Sequence, residues 1–280
     1  MANSPDNLGL PETGLPLLRD LIHERTGLFY ENGRYETLGE RLAPLVLERG
    51  FRSFLDFYYL LKYDADAPSE WRSVLNVLSV QETYFWREID QIEALVSQVV
   101  PELVRHDPGG TVRIWSVPCA SGEEPLSIAM ALSEAGWFDR ARIEIHASDG
   151  SAAAIAKARQ GVYRERAFRA LPIPLREKYF LKERDGWRPV PALSQRIASW
   201  SVVNLMSRED MLAHARTPAI FCRNAFIYFS RQAIQRVVEA FADLMPPRGY
   251  LFVGASESLL SVTDRFTLQE IERAFVYVKV

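Results

Sequence analysis

Two adjacent carboxylates lie where a strand-like segment gives way to a helical one. The stretch RIWSVPCASGEEPLSIAM places Glu123 and Glu124 directly after Gly122. A turn from a parallel strand into a helix usually binds a ligand, but two carboxylates would repel a phosphate. They favour a ligand that carries positive charge, unless they only complement the positive end of the helix dipole. On these residues alone both interpretations remain open.

Two further polar residues follow later strand-like segments. Asp149 ends RIEIHASD, and Asn204 follows WSVV. In an open parallel sheet, ligands bind beyond the carboxyl ends of the strands, where an acid commonly accepts hydrogen bonds from ribose hydroxyls. The chain contains neither the G-x-G-x-x-G fingerprint nor a P-loop lysine, so a pyrophosphate is not expected. S-adenosylmethionine, a nucleoside with an amino group and a sulfonium, fits this pattern of residues.

The periodicity of apolar residues divides the chain into two domains. Up to about residue 80 it is helical, with spacings of three, four and seven residues in segments such as Leu38–Val46 and Phe54–Leu61. From Thr111 onward, strands alternate with helices, which is typical of a parallel sheet covered on both faces. We therefore predict an N-terminal all-helical domain over residues 1–80 and an α/β domain over residues 81–280. Turn chemistry at Asp185-Gly186 predicts an inserted antiparallel β-subdomain over about 178–201.

Composition and charge exclude several classes of protein. The 280 residues include no apolar run of the roughly 20 residues that a membrane span needs, and the N-terminus does not resemble a signal peptide. Cys119 and Cys222 are too few for a disulfide framework, which favours the cytoplasm, and no cluster of Cys and His predicts a metal site. The net charge of −3 is uneven: residues 1–80 hold 8 Lys and Arg against 12 Asp and Glu, whereas residues 151–200 hold 11 against 4. The second region could steer an acidic partner.

Six segments, in order, resemble those of one family. They are SVQETYFWRE, RIWSVPCASGEEPLSIAM, ASDGSAAAIAKARQGVY, VVNLM, IFCRNAFIYF and RGYLFVGASESL. Together they resemble the CheR family, the chemotaxis-receptor glutamate O-methyltransferases, from about residue 15 to the C-terminus. The resemblance implies an α/β fold in which a small all-helical domain precedes a Rossmann-like methyltransferase domain with an inserted antiparallel β-subdomain. It also implies S-adenosylmethionine as the cofactor, S-adenosylhomocysteine as the product and no metal.

The resemblance also assigns roles to individual residues. Arg87 is expected to hold the substrate carboxylate and Tyr228 to donate a hydrogen bond near the methyl group, while Arg223 is expected to support the site without touching substrate. A glutamate with a pKa near 4.3 is already ionised at neutral pH, so no general base is expected. The residues expected to contact the cofactor are Gln81, Thr83, Arg87, Ala120, Ser121, Gly122, Glu123, Asp149, Asn204, Leu205, Asn224 and Tyr228.

The partner that the resemblance implies is the cytoplasmic helical bundle of a methyl-accepting chemoreceptor. The enzyme is expected to be monomeric and cytoplasmic, without membrane insertion or nucleic-acid binding. Three features depart from the family. The second helix keeps Arg41 and Arg49 of the docking arginines but contains Pro44. The hairpin LKERDGWRPV is short, which predicts an enzyme that does not depend on a receptor tether, and Gly150 replaces a more usual aliphatic residue.

Two other functions compete with this interpretation. A scaffold that binds the cofactor without transferring the methyl group would be expected to have lost residues such as Thr83, Arg87 and Tyr228, and all three are present. A nucleic-acid methyltransferase would place the basic 157–196 region on phosphates. Its base-binding loop would be expected to read N/D-P-P-Y, however, whereas this chain has FCRNAFIY.

Overall fold

In its described residues, the N-terminal domain is a bundle of four helices around one core. The computed structural model describes residues 14–31, 35–65 and 67–280. The helices are α1 (Gly14–Thr26), α2 (Tyr35–Glu48), α3 (Phe54–Tyr63) and α4 (Ala67–Leu78). Their apolar stripes meet at fully buried residues that include Leu18, Ile22, Leu42, Phe57 and Val74. The predicted all-helical domain is confirmed, and Pro44 lies within α2.

A tight turn and an interrupted helix connect the two domains. Trp86 and Glu88, on either side of Arg87, both have positive φ, at 69° and 50°, and residues 85–88 form a turn. A helix begins two residues after Arg87, as α5 (Ile89–Ala94), and continues through a π-helical turn into α6 (Val100–His106). Left-handed backbone at residues other than glycine is uncommon and often marks a functional site. Arg87 therefore lies on a tight turn instead of a helix.

The second domain is built on a seven-stranded sheet with the order β5-β2-β1-β6-β7-β9-β8. The strands β1, β2, β5, β6 and β7 are parallel, and an antiparallel hairpin, β8 and β9, closes one edge. The chain runs outward from β1 to β5 and then returns to β6, so the strand order reverses between β1 and β6. The strands span Thr111–Ser116 (β1), Arg142–Asp149 (β2), Ile197–Val202 (β5), Ala219–Cys222 (β6), Tyr250–Val253 (β7), Phe266–Ile271 (β8) and Ala274–Lys279 (β9).

Helices cover both faces of this sheet. Successive residues of β1 point to opposite faces, so Ile114 lies in one core and Trp115 in the other. Within the described ranges, no helix combines the length and apolar character that a membrane span requires. The helices are α7 (Glu123–Glu134), α8 (Trp137–Arg140), α9 (Ala152–Gln160), α10 (Ile173–Tyr179), α11 (Pro191–Ser194), α12 (Arg208–Leu212) and α13 (Arg231–Leu244).

The antiparallel insertion is shorter than predicted. It consists of β3 (Phe180–Glu183) and β4 (Gly186–Pro189), joined by a two-residue turn. The predicted range of 178–201 also took in Ile197–Ser201, which belongs to β5, the edge strand of the main sheet parallel to β2. A strand-like pattern does not reveal which neighbour a strand pairs with, and this is why the C-terminal boundary of the insertion was placed too far along the chain.

Candidate active site

Two adjoining cavities lie beyond the carboxyl ends of β1, β2 and β6, where the strand order reverses. Their empty volumes are about 670 and 520 Å³. Both are lined by Val80, Pro118, Asp149 and Asn224. We call them the first and second cavity and consider them as two parts of one ligand site.

The first cavity has an apolar wall and a polar rim. Residues of the N-terminal domain, Thr26, Leu28 and Leu75, face Val203 and Leu205 of the sheet domain across it. The polar side chains at its rim are those of Gln81, Asp149, Asn204, Asn224 and Tyr228. An apolar slot bordered by a few polar groups suits a purine base with its ribose.

Asp149, which lines this cavity, is hydrogen-bonded to the turn after β1. Its Oδ2 accepts a hydrogen bond from the Ala120 amide at 2.9 Å, and its Oδ1 accepts one from the Ser151 amide at 2.8 Å. Burial raises the pKa of the Asp149 carboxyl, although these two backbone donors oppose the shift. The turn itself is narrow, because a Cβ at Gly122, where φ is +97°, would lie 2.9 Å from the Trp200 ring.

The two glutamates that follow this turn have different surroundings. Glu123 is 4% exposed, and both of its carboxylate oxygens accept from the Ser121 hydroxyl, at 3.0 and 2.8 Å. Glu124 lines the second cavity and accepts from Ser116 Oγ at 2.7 Å and from Arg223 Nε at 2.6 Å. Consecutive helix residues point about 100° apart, and Glu124 lines the second cavity whereas Glu123 lines neither of the two. Of the two carboxylates, it is therefore Glu124 that reaches the site.

The buried position of Glu123 leads to a pH prediction. Burial raises the pKa of its carboxyl above the ordinary value of 4.5. As pH rises past 4.5, the unfolded chain ionises Glu123 first, so the wild type loses stability until the pH passes the raised pKa. The free energy of unfolding of Glu123→Gln, measured by urea titration, should therefore rise relative to wild type from pH 4 upward and then level off.

A glutamate at the other end of α7 provides the matched control. The hydrogen bond from Lys178 lowers the pKa of Glu134, so this carboxylate stabilises the fold above pH 4.5 and the contribution is lost as pH falls. As pH rises toward 4.5, Glu134→Gln should therefore lose stability relative to wild type, whereas Glu123→Gln gains stability above 4.5. If the difference in the free energy of unfolding between Glu123→Gln and wild type stayed constant with pH, the prediction would be contradicted.

The second cavity contains the guanidinium of Arg87. The Arg87 side chain is 23% exposed, its Nη1 donates to the Glu82 carbonyl at 2.7 Å, and its ion pair with Glu88 is long, at 3.9 Å. Arg223 holds this turn through its backbone. It donates to the carbonyl oxygens of Arg87 and Glu88 at 3.1 and 3.2 Å while it forms the ion pair with Glu124. Arg223 therefore acts through the backbone that carries Arg87.

Asn224 and Glu257 fix the border between the cavities. Asn224 has a φ of 57°, and its side-chain amide donates to Glu88 Oε1 at 3.1 Å. The Glu257 carboxylate accepts from the amides of Asn224, Ile227 and Gly254, at 2.8, 3.2 and 2.7 Å. Burial raises the pKa of Glu257, opposed by these donors. Sequence reasoning missed Glu257, because nothing in GASES shows that its carboxylate would bind a loop 30 residues earlier.

Most of the residues proposed from the resemblance meet in these cavities. Ser121, Gly122 and Glu123 instead form the turn beside them. Those that line a cavity are Gln81, Thr83, Arg87, Ala120, Asp149, Asn204, Leu205, Asn224 and Tyr228. The wall from the N-terminal domain was not anticipated, because Thr26, Leu28 and Leu75 have the side chains of ordinary helix and loop residues. Within the described ranges, no cluster of His, Cys, Asp or Glu is suited to a metal ion.

The fold and the site together define a class of protein. A parallel sheet with one antiparallel edge hairpin, an acid at the end of β2 and a cavity at the strand reversal are the features of an S-adenosylmethionine-dependent methyltransferase. The residues present fit this cofactor: the apolar slot would take the adenine, Asp149 would accept from the ribose hydroxyls, and the Glu124 carboxylate beside the second cavity would face a cationic amino-acid end.

Comparison with known proteins identifies the family. The model described as CheR methyltransferase, SAM binding domain, matches residues 81–275, and the one described as CheR methyltransferase, all-alpha domain, matches residues 14–79. The chain therefore belongs to the CheR methyltransferase family, and S-adenosylmethionine is its cofactor. It is a methyltransferase of the chemotaxis type.

Relatives from several bacteria match along nearly the whole chain. Chemotaxis protein methyltransferase 2 of Vibrio cholerae is 35% identical over 96% of this chain and 94% of its own length. The chemotaxis protein methyltransferase of Escherichia coli is 28% identical over 94% of this chain and 91% of its own. The probable biofilm formation methyltransferase WspC of Pseudomonas putida is 31% identical over 92% of this chain, which spans 60% of that protein.

Proposed function

We propose that this chain transfers a methyl group from S-adenosylmethionine to glutamate side chains of a chemoreceptor, forming glutamate methyl esters. The observation that carries the proposal is the position of Arg87, a partly exposed guanidinium in the second cavity next to the cofactor site. A guanidinium binds both oxygens of a carboxylate in one plane, so a glutamate entering this cavity would be held at a fixed angle. The names of the relatives from chemotaxis support a chemoreceptor as the substrate.

The chemistry needs orientation more than acid or base. The cofactor supplies an electrophilic methyl group on a sulfonium; as the glutamate oxygen forms the new C–O bond, the C–S bond breaks and its electron pair stays on sulfur. No proton is transferred, because a glutamate is ionised at neutral pH. Arg87 holds the carboxylate in the second cavity and Tyr228, which lines the first cavity, donates a hydrogen bond near the methyl group. Orientation of this kind can supply up to about 7–11 kcal/mol of the barrier.

The charged surface that receives the receptor is expected to lie beside the second cavity. Arg41 and Arg49 of α2 already bind within the N-terminal domain, Arg41 to the Leu78 carbonyl at 2.9 Å and Arg49 to the Glu70 carboxylate at 2.9 Å. Arg166, whose side chain is 80% exposed, pairs only loosely with Glu82, at 3.5 Å. The basic region over residues 151–200 is therefore better placed than α2 to attract an acidic helical bundle. We further propose a monomeric cytoplasmic enzyme that needs no receptor tether.

Labelled methyl transfer tests this function. We expect S-adenosylmethionine labelled in its methyl group to label chemoreceptors in membranes of the organism that encodes the chain. The label should be released as methanol in mild base, because esters of carboxylates hydrolyse where methylated amines do not. Membranes from a strain without chemoreceptors are the control.

Three results would contradict the proposal in different ways. Label that resists base would exclude a glutamate ester but leave a methyltransferase. If receptor membranes gained no label although calorimetry showed that the chain binds S-adenosylhomocysteine, the chain would be a cofactor-binding scaffold. Label in oligonucleotides would favour a nucleic-acid substrate instead.

A further inference from the structure

The end of α1 is joined directly to the turn that carries Tyr228. The Phe29 amide donates to the Tyr228 carbonyl at 2.8 Å, and Leu28 forms an antiparallel bridge with Phe229. These backbone contacts link the N-terminal domain to a residue that lines the cofactor cavity. They lie some 200 residues apart in sequence, so each domain supplies one side of the junction.

Side chains reinforce the same junction on both sides. His23 Nε2 lies 2.7 Å from the Ser230 hydroxyl, which also caps the first turn of α13 by accepting from the Ala233 amide. The Asn204 side-chain amide donates to the Arg25 carbonyl at 2.8 Å. Residues 23–29 therefore contact the Tyr228 turn and the loop after β5. We call residues 23–29 the α1 hook.

The Tyr228 turn is held from the sheet side as well. Glu257 accepts from the amides of Asn224 and Ile227, which come just before Tyr228. Tyr228 belongs to a single turn of 3-10 helix, Phe226–Tyr228, that a longer element does not stiffen. The backbone of this turn is therefore held by two external supports, the Glu257 carboxylate and the α1 hook.

Gly27 shows how closely the hook fits the turn. Its φ is +78°, and a Cβ there would lie 2.7 and 2.9 Å from atoms of the Phe229 ring and 3.1 Å from the Met206 sulfur. Gly50, at the end of α2, has almost the same φ of +81° but nothing within 4 Å of its Cβ position. At position 50, the left-handed backbone alone accounts for glycine. At position 27, glycine is also required because the backbone lies close to the Phe229 ring.

We propose that the α1 hook is a positioning element for methyl transfer, which places the Tyr228 hydroxyl through the Phe29 hydrogen bond and the contact between Gly27 and Phe229. The proposal rests on the proposed function, in which Tyr228 acts near the transferring methyl group. The N-terminal domain would then contribute to the transfer step itself as well as to the docking of the receptor. A receptor that moves α1 would also move Tyr228.

The test compares Gly27→Ala with Gly50→Ala. Both variants introduce the same backbone strain, so both should lose a similar amount of thermal stability from this source. Gly27→Ala should lower kcat for transfer to receptor membranes by about 10- to 100-fold, the range expected when a reacting group moves by an ångström. Gly50→Ala should retain kcat within about twofold. Amide hydrogen exchange should become faster over residues 226–230 in Gly27→Ala and stay unchanged there in Gly50→Ala.

A double-mutant cycle with Tyr228→Phe separates positioning from general damage. If the hook acts through the Tyr228 hydroxyl, Gly27→Ala should lower kcat by less than about twofold in the Tyr228→Phe background. The proposal would be overturned if Gly27→Ala lowered kcat by the same factor in the Tyr228→Phe background as in wild type. Unchanged amide hydrogen exchange over residues 226–230 in Gly27→Ala would overturn it as well. If Gly27→Ala does not fold, His23→Ala replaces it, with an expected three- to tenfold loss that Tyr228→Phe should again suppress.

The two proposals fail in distinguishable ways. If wild type transfers no base-labile methyl group, the proposed function is wrong, while hydrogen exchange still reports whether the hook holds the turn. If wild type transfers the group but Tyr228→Phe has the wild-type kcat, the hook has no catalytic residue to position and the inference alone is wrong.

Discussion

Replacement of Arg87 by alanine is expected to lower kcat/KM for methyl transfer by about 100- to 1000-fold, the usual loss when one preorganised charged donor is removed from an active site. The Arg87 turn is set by two positive-φ residues, so the guanidinium enters the second cavity from a defined direction. Without it, the glutamate would keep its charge but lose the donor that fixes its angle to the methyl group. Initial rates with receptor membranes at several receptor concentrations provide this value.

The controls separate charge, shape and cofactor binding. Arg87→Lys keeps the charge without the planar pair of donors, so its kcat/KM should lie between those of wild type and Arg87→Ala. Arg105→Ala, at an exposed position of α6, should leave transfer unchanged. Calorimetry with S-adenosylhomocysteine measures how much of the loss is cofactor affinity. If cofactor affinity falls by as much as kcat/KM, Arg87 binds the cofactor and does not hold the substrate.

The fold was predictable because local patterns determine most of it. Alternating strands and helices are typical of a parallel sheet, and the helical period before residue 80 predicted the first domain. The assignment of Ile197–Ser201 to the insertion was wrong, because pairing with β2 is a long-range choice that depends on the whole sheet. The left-handed turn around Arg87 was also missed, since Trp86 and Glu88 are not residue types that indicate positive φ.

The site was predictable where it follows from topology. Residues at the carboxyl ends of parallel strands must meet at one edge, which brings Asp149 and Asn204 together at the first cavity. Topology does not decide which way consecutive side chains point, so the roles of Glu123 and Glu124 could not be separated. Nor does it show that Leu28 closes the cavity, since that depends on how two separately folded cores pack together.

Removal of Arg223 should damage both stability and transfer. Its side chain is 2% exposed, and that of its partner Glu124 is 11% exposed, with 2.6 Å between Nε and Oε2. Arg223→Ala would leave a buried carboxylate without its cation, at a cost of about 3–5 kcal/mol in the free energy of unfolding. Transfer should fall as well, because the carbonyl oxygens of Arg87 and Glu88 lose the donors that hold their turn. Urea titration and the transfer assay measure the two effects.

An exposed ion pair and a double variant distinguish these effects. Arg113 pairs with Glu144 at 3.1 Å on neighbouring strands, but both side chains are exposed, so Arg113→Ala should cost no more than about 1 kcal/mol and leave transfer intact. Combining Arg223→Met with Glu124→Gln removes the unpaired charge and should recover part of the stability that Arg223→Ala loses. Transfer should remain low, since methionine cannot donate to the Arg87 carbonyl and glutamine lacks the charge that Glu124 places beside the second cavity. If transfer recovered together with stability, Arg223 would contribute only to folding, and the Arg87 turn would not need its donors.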